Sequence, residues 1–307
     1  LALGMGSFAM AQTGSINAFS PYTMYGIGEV NTPGSLIQRS MGGVGVASRQ
    51  VGTINLLNPA ALSMVSRKSF LLNFGGEGQN FYNHQTLDGQ QKNSAHNSFS
   101  FRDIAVLIPL YKNLGFSVSL SPYSSVGYQM MYDHAYSEND PVWGNVGRVN
   151  YQYQGEGDIT EVKVGVGYQL FKNFSIGVAG KYYWGKIAHN YTSEIVNNFV
   201  GVGNYLSVVG EDEYAISNFK FQVGLQWEIL AKENHSLVFG ATYDYGGGLR
   251  PKVTKQLVLN NTYETSVFYE KGVSQMRLPH SVKGGLMYNS QKFQAAVEYE
   301  FQAWGSG

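Results

Sequence analysis

Alternation of apolar and hydrophilic residues is the feature that most constrains the fold, and it recurs through the chain from Phe70 onward. In residues 219–229, Phe, Val, Leu, Trp and Ile alternate with Lys, Gln, Gly and Glu. Residues 161–170 and 293–302 show the same pattern. Successive side chains of a strand point to opposite faces, so each run predicts a strand with one apolar and one hydrophilic face. A soluble β-sandwich would also alternate, so this pattern alone leaves two fold classes open.

The connections between the runs favour a membrane barrel over a sandwich. Tight polar turns recur at residues 112–113, 172–173, 232–234 and 289–292. Long polar stretches alternate with them, at residues 83–97, 133–149, 190–205 and 246–263. Outer-membrane barrels have short periplasmic turns and longer extracellular loops. The rhythm therefore predicts an all-β fold, a transmembrane antiparallel β-barrel.

Aromatic residues gather near both kinds of connection, as expected for the two interfacial girdles of a membrane barrel. Those near the short turns are Tyr111, Phe116, Phe171, Phe174, Trp227 and Phe293. Those toward the long stretches are Tyr128, Tyr132, Tyr182, Trp184, Tyr243 and Tyr245. The preference of aromatic residues for strands explains part of this distribution.

Composition supports the barrel and excludes other classes of protein. Charged residues make up 14% of the 307 residues, against a usual value of about 25%. The 21 Lys and Arg balance the 21 Asp and Glu, so there is no basic excess to neutralise nucleic-acid phosphates. The chain has no Cys, and its six His show no metal-ligand spacing, so we expect no cofactor and no metal site.

The alternating runs predict about nine strands. Their expected ranges are 69–82, 98–111, 114–132, 149–171, 174–190, 206–230, 236–256, 263–288 and 292–304. Bacterial outer-membrane barrels have an even number of strands, so an odd number predicts a barrel that is incomplete at its C-terminal end. At the other end, LALGMGSFAMAQ resembles the end of a secretory signal, with a small-x-small cleavage site before Gln12. We therefore expect a signal-peptide remnant (1–11), an N-terminal hatch (12–68) and an incomplete barrel (69–307).

The hatch prediction rests on the Gly- and Ala-rich segment from Arg39 to Ser63, which is too small to form a core of its own. Its candidate site residues are Gly42, Gly43, Gly45, Asn58, Pro59 and Ala60. We expect the glycines to provide conformational freedom and close backbone packing, and the Asn-Pro-Ala run to anchor the segment. The glycines do not follow a strand or precede a P-loop Lys-Ser/Thr, so nucleotide binding is not expected.

Five stretches resemble a known family: SPYTMYGIGE (20–29), RSMGGVGVA (39–47), INLLNPAALS (54–63), the Ser69-Phe70 pair and RLPHSVKGGLMY (277–288). They are similar to the FadL/TodX family of outer-membrane hydrophobic-compound transporters, in the form found in Bacteroidetes. The resemblance implies a barrel of about fourteen strands when complete. It also implies an N-terminal hatch that plugs the lumen, and passage of apolar ligands. In that family a kink in the third strand opens a lateral gap in the wall.

The third predicted strand, 114–132, contains a candidate for such a gap. Ser121-Pro122 interrupts its alternation, and the apolar positions resume partly out of phase. Proline donates no ladder hydrogen bond, so it is expected at an edge or a bulge. Ser121 and Pro122 are therefore a candidate lateral opening, with a simple bulge as the alternative. A second phase slip at Arg102-Asp103 has no functional interpretation from the sequence.

Three functions are compatible with these patterns. We favour passive uptake of hydrophobic small molecules, long-chain fatty acids or aromatic hydrocarbons, across the outer membrane of a Gram-negative bacterium. The alternative is an accessory barrel of a protein secretion system that binds partner proteins; it predicts a lumen without an apolar tunnel. A lipid-modifying barrel enzyme is the third, but no catalytic motif supports it, so we expect no enzyme. The expected partners are a hydrophobic ligand and outer-membrane lipid, not nucleic acid, and the oligomeric state stays open, with a monomer as one option.

Overall fold

A computed structural model of the protein describes residues 20–87, 90–135, 148–196, 206–232, 234–260 and 265–304. The predicted signal remnant, 1–11, lies outside these ranges. In chain order the strands are β1 (Glu29–Val30), β2 (Leu71–Leu87), β3 (Gln90–Tyr111), β4 (Leu114–Ala135), β5 (Arg148–Phe171), β6 (Phe174–Val196), β7 (Ser207–Lys232), β8 (His235–Asp244), β9 (Gly247–Gly248), β10 (Lys252–Asn260), β11 (Thr265–Val273), β12 (Arg277–Leu278), β13 (His280–Ser290) and β14 (Gln294–Ala303). The helices are short: α1 (Leu36–Ser40) and two 3₁₀ helices, Pro21–Met24 and Pro59–Met64. Within the described residues, no helix is long and apolar enough to cross a membrane.

Twelve of the described strands form one large antiparallel sheet, whose main path is β14-β13-β8-β7-β6-β5-β4-β3-β2, and β9 and β12 form a separate pair. Each strand of this path pairs with the next, and the described residues show no pairing between β2 and β14. The sheet therefore confirms the prediction of an almost entirely antiparallel β-fold. The closed barrel and its total strand number stay predictions.

The two faces of the sheet are inverted relative to a water-soluble protein. On β7, Phe219 and Trp227 are 64% and 48% exposed, whereas Lys220 and Gln226 are 6% and 0% exposed. Lys163 on β5 is likewise buried, although Val164 beside it is exposed. Large apolar residues normally lie inside a soluble protein and charged ones outside. This inversion is the pattern of a membrane barrel, and it separates the two fold classes that alternation alone left open.

The N-terminal segment, defined here as residues 20–68, covers the polar face of the sheet, which we call the inner face. Its second 3₁₀ helix, Pro59–Met64, contacts β4, β5, β6 and β7. Ile54 and Leu62 pack there against Leu107 of β3. The segment is thus held on the sheet by contacts with several strands.

The predictions of single continuous strands at 236–256 and 263–288 are wrong. β8 ends at Asp244, and the chain then turns onto the inner face, where Leu249 is 1% exposed. Gly247 and Arg250 adopt φ of +105° and +46°, left-handed values that interrupt a strand. The β10–β11 hairpin pairs with the beginning of β7. A second inward turn, between β11 and β13, returns the chain to the main sheet.

Several polar stretches predicted as loops belong to strands instead. Residues 83–87 and 90–97 are paired in the β2–β3 hairpin, and β6 extends to Val196. Backbone pairing does not require an apolar face, so strands can extend past an apolar band into water with polar residues on both faces. The central parts of the stretches 133–149 and 190–205 lie outside the described residues.

Candidate functional site

Asn58 bonds both to the N-terminal segment and to the sheet. It is fully buried, and its side-chain oxygen accepts a hydrogen bond from the Ala60 N–H at 3.0 Å. Its Nδ2 donates to the Val46 carbonyl at 2.8 Å and to the Leu225 carbonyl of β7 at 3.0 Å. The predicted anchoring residues Asn58, Pro59 and Ala60 are thus brought together against the sheet, all of them buried.

Two of the predicted glycines, Gly42 and Gly43, lie in a turn that precedes Asn58 in the chain. Gly42 and Gly43 have φ of +80° and +81°, a backbone conformation that other residues rarely adopt. This turn leads the chain to Gly45, whose N–H donates to a Glu298 carboxylate oxygen of β14 at 2.9 Å. The Val46 N–H donates to the same oxygen at 2.9 Å. The sequence placed Glu298 on the polar face but gave no signal for this contact.

Close backbone approach explains part of the glycine content of the strands. A Cβ on Gly177 of β6 would overlap the Pro59 backbone, and one on Gly115 of β4 would overlap the Leu62 carbonyl. Both glycines lie within a few residues of a short turn. The Pro59–Met64 helix therefore lies against the short-turn end of the strands, and at these two glycines its backbone approaches the strands directly.

Polar side chains of the sheet, which sequence reasoning did not single out, bind the segment's carbonyl groups. The Gln226 Nε2 donates to the Val46 and Ser48 carbonyls, each at 2.9 Å. Gln222 donates to the Leu57 carbonyl at 3.1 Å, and Lys163 donates to the Leu56 carbonyl at 2.6 Å. In the sequence, these side chains are marked only by their positions on the polar side of alternating strands.

A layer of charged residues follows along the strands, beyond the Pro59–Met64 part of the N-terminal segment. It lines a cavity of about 170 Å³ between the segment and the inner face. Its charged residues are Glu161, Lys163, Lys181, Lys220, Asp244, Lys283 and Glu300. Lys181 pairs with Asp244, and Lys283 pairs with Glu300 at 2.9 Å. The paired charges make this layer hydrophilic.

An apolar layer lies farther along the strands, toward their long connections. It contains Val126, Ile159, Ile187 and Ile216 from the sheet and Leu249 from the inward turn after β8. Tyr128, predicted to belong to an outer aromatic girdle, is instead buried in this layer at 6% exposure. The strand irregularity at Pro122 changes the phase of β4 and explains that correction. Along the strands, the inner face thus carries three successive layers: the closely packed backbone of the Pro59–Met64 helix, the charged side chains and the apolar side chains.

The predicted irregularity at Pro122 coincides with a split in the sheet. The pairing of β4 with β5 shifts register between Pro122 and Ser124. On its other side, β4 pairs with β3 only as far as Leu120, opposite Ile104. Beyond that pair, β3 pairs only with β2 among the described residues. We call the region between β3 and β4 beyond Ile104 and Leu120 the split. Whether it acts as a lateral opening stays a prediction.

The N-terminal segment enters the split. β1 pairs antiparallel with β4, Glu29 opposite Ser125 and Val30 opposite Ser124. Nearer the end of the β3–β4 pairing, the Asn31 N–H donates to the Tyr123 carbonyl at 2.8 Å.

Charged side chains surround the point where the segment enters. Arg102 is the extra residue of a bulge opposite Gly75 and Gly76, which explains the phase slip seen in the sequence. It binds Glu77 of β2 and the Asn31 side chain. Arg39 of α1 also binds Glu77, at 2.7 Å. The bulge therefore directs the charged Arg102 side chain toward the N-terminal segment.

The described residues contain no group of three or more potential metal-binding side chains. An apolar concavity of about 540 Å³ lies on the exposed face of the sheet and includes Val178 and Val223.

Comparison with known proteins identifies the family. Residues 1–307, the whole chain, match the family model described as BamG. The chain belongs to the BamG family. A comparison with curated proteins found no match.

The fold is similar to that of a solved membrane protein. A crystal structure of the Pseudomonas putida toluene transporter TodX has a TM-score of 0.57 and 15% identity, covering 89% of this chain and 70% of that one. A second TodX crystal structure has a TM-score of 0.49 and 16% identity, over 85% and 70% of the two chains. At 15% identity the first match shows a shared fold, which agrees with the fold implied by the FadL/TodX resemblance.

Proposed function

We propose that this protein is an outer-membrane barrel with a sealed lumen that binds a partner protein, as an accessory component and not as an enzyme. Membership of the BamG family hints at a BAM-related role of this kind. The observation that carries the proposal is the charged layer between the Pro59–Met64 part of the N-terminal segment and the apolar layer, into which Met24 and Ile27 of the same segment also pack. The inverted faces of the sheet and its TodX-like fold support the outer-membrane location.

The charged layer is a poor path for an apolar solute. Transfer of apolar surface out of water is favourable by about 25 cal/mol per Å² only where the new surroundings are apolar. Here the solute would meet the Lys181–Asp244 and Lys283–Glu300 pairs. Removing one partner of a fully buried ion pair costs about 3–5 kcal/mol, which is an upper bound for separating these partly buried pairs. An uptake route through the inner face would have to move these groups first.

The N-terminal segment is also firmly attached. Gln222, Gln226, Lys163 and Glu298 each bind its backbone directly. A hydrogen bond contributes about 0.5–1.5 kcal/mol, and one to a charged group about 1.5–3 kcal/mol. Moving the segment away would therefore cost on the order of several kcal/mol, which a small apolar ligand has no polar groups to offset. A fixed segment suits a scaffold better than a gate.

Passive uptake of hydrophobic small molecules is the second candidate. The split beside Pro122 is the specific observation in its favour, because it interrupts the sheet where a lateral exit was predicted. The TodX-like fold adds to it. In this alternative, an apolar ligand would leave through the split, and restoring regular pairing at Pro122 would stop uptake.

Two assays on cells that express or lack the full-length gene separate the candidates. The first measures uptake of radiolabelled oleate and toluene. The second uses photo-crosslinking from exposed positions on the β10–β11 hairpin, such as Tyr269, followed by identification of the crosslinked protein. Gene-independent uptake together with one reproducible crosslinked partner is the expected result. Gene-dependent uptake without a partner would refute the scaffold proposal in favour of transport.

A further inference from the structure

We propose that the split is a docking site for an extended strand of the partner protein, which adds to the edge of β4 beside β1. This inference rests on the proposed partner-binding function and assigns that function a surface. The partner is defined by its chemistry: a strand of about ten residues that binds through its backbone, as in β-strand addition.

Unpaired strand edges on both sides of the split are the first observation. β3 from Ser98 to Asp103 pairs with β2 alone, and β4 from Tyr128 to Asp133 pairs with β5 alone, among the described residues. An edge strand presents a row of unpaired N–H and C=O groups, a template for another chain. Both edges lie within the β2-to-β14 order and not on its outermost strands, β2 and β14.

The protein's own β1 shows that the split accepts a strand. Its two residues pair antiparallel with Ser124 and Ser125 of β4. Both Glu29 and Val30 are exposed, and the strand pairing covers only these two positions. On either side of them, the Tyr123 carbonyl accepts from the Asn31 N–H at 2.8 Å and the Gly127 carbonyl accepts from the Ser20 N–H at 3.0 Å, so a partner strand would have to displace these contacts as well. Short, exposed elements open most readily, so a longer strand that reaches further along β4 would replace β1.

Unsatisfied polar atoms around the split are the independent third observation. The Ser124 Oγ on β4, the Ser98 Oγ on β3 and the Arg39 Nε are buried, with no hydrogen-bond partner among the described residues. Ser124 is fully buried. Buried polar groups are usually paired, so these three atoms are available to hydrogen-bond with a docked strand. A polypeptide backbone supplies both the donors and the acceptors that they need.

The charges at the split favour a strand without strong net charge. Arg39 and Arg102 face Glu77 and Asp103, which gives two cations and two anions. Such a balanced set neither attracts nor repels a neutral backbone over a distance. Recognition would therefore come from backbone pairing at short range, not from electrostatic steering.

Disulfide locking of β1 provides the test. The 307 residues contain no Cys that could form a competing disulfide. The lock is Val30→Cys with Ser124→Cys, two residues that lie opposite each other. The matched control is Glu156→Cys with Ala188→Cys, opposite residues of the continuous β5–β6 pair. A third variant, Arg102→Ala, loosens the segment by removing its contact with Asn31.

The probe is a fluorescent peptide with the sequence of residues 25–34, YGIGEVNTPG, which already fits the split. Its binding to each full-length variant in detergent is measured by fluorescence anisotropy, with a scrambled peptide for comparison. We expect binding to the control lock as to the wild type, at least tenfold tighter binding to Arg102→Ala, and loss of binding in the β1 lock. Equal binding to both locks, or no binding to Arg102→Ala, would overturn the proposal.

Crosslinking in cells distinguishes this failure from failure of the proposed function. A partner that crosslinks to the wild type and control lock but not to the β1 lock supports the split as its site. A partner that crosslinks equally to both locks leaves the proposed function standing and overturns the split. If no variant acquires a partner, the partner-binding function fails, and the docking proposal that rests on it fails as well.

Discussion

Replacement of Asn58 by alanine is the most direct test of how the N-terminal segment is held. The substitution removes the hydrogen bonds from Nδ2 to the Val46 and Leu225 carbonyls and the one that Oδ1 accepts from the Ala60 N–H. At about 0.5–1.5 kcal/mol each, with Asn58 fully buried, the total loss is about 2–4 kcal/mol. In this variant the Val46 carbonyl still accepts a hydrogen bond from Gln226. The Leu225 carbonyl loses the hydrogen bond that the Asn58 side chain donates to it.

The assay is hydrogen–deuterium exchange of residues 45–64 in the full-length protein. Because 1.4 kcal/mol is a factor of ten in an equilibrium constant, we expect local opening and exchange to increase roughly 30- to 700-fold. Exchange in β5 and β6 should stay unchanged, since the lost contacts do not include their pairing.

Two variants control this experiment. Asn58→Asp keeps the acceptor for the Ala60 N–H but points a carboxylate at two carbonyl groups, so its effect should equal or exceed that of alanine. Asn80→Ala, at an exposed position of β2, should leave exchange in the segment at the wild-type rate. Unchanged exchange of residues 45–64 in Asn58→Ala would refute the view that these hydrogen bonds hold the segment.

Three further predictions follow from other contacts. Gly177→Ala should destabilise the protein by about 1–3 kcal/mol, since its Cβ would overlap the Pro59 backbone, and thermal unfolding in detergent measures this. Lys181→Met should cost up to about 3–5 kcal/mol by leaving Asp244 without its ion pair, and adding Asp244→Leu should recover most of the loss in the same assay. Glu298→Ala should cost about 1–3 kcal/mol by removing the acceptor of two backbone N–H groups, and exchange of residues 45–46 should rise. A Glu298→Ala protein with wild-type exchange there would contradict that assignment.

Local rules were sufficient to predict much of the sheet. Alternation and short turns located β4, β5 and β6 at their turn ends, because a strand's period of two and the residues of a tight turn are encoded over a few positions. The changes of phase at Arg102 and Pro122 could also be recognised in the sequence, because a bulge adds one residue and reverses the alternation. The run Asn58-Pro59-Ala60 begins a buried 3₁₀ helix whose N-cap is local, and its predicted anchoring role stays a prediction.

Only the tertiary structure decided which strands pair and what the polar face binds. The same alternation fits a sandwich or a barrel, and it was the exposure of Phe219 beside buried Lys220 that distinguished them. Pairing of β10 with the beginning of β7 joins residues far apart in the chain. Among the described residues, the β3–β4 hairpin stops pairing beyond Leu120, where the N-terminal segment enters. The contacts of Glu298 with Gly45 and Val46 span about 250 residues. Such contacts depend on the summed geometry of all the intervening strands, so no local pattern in a single sequence specifies them.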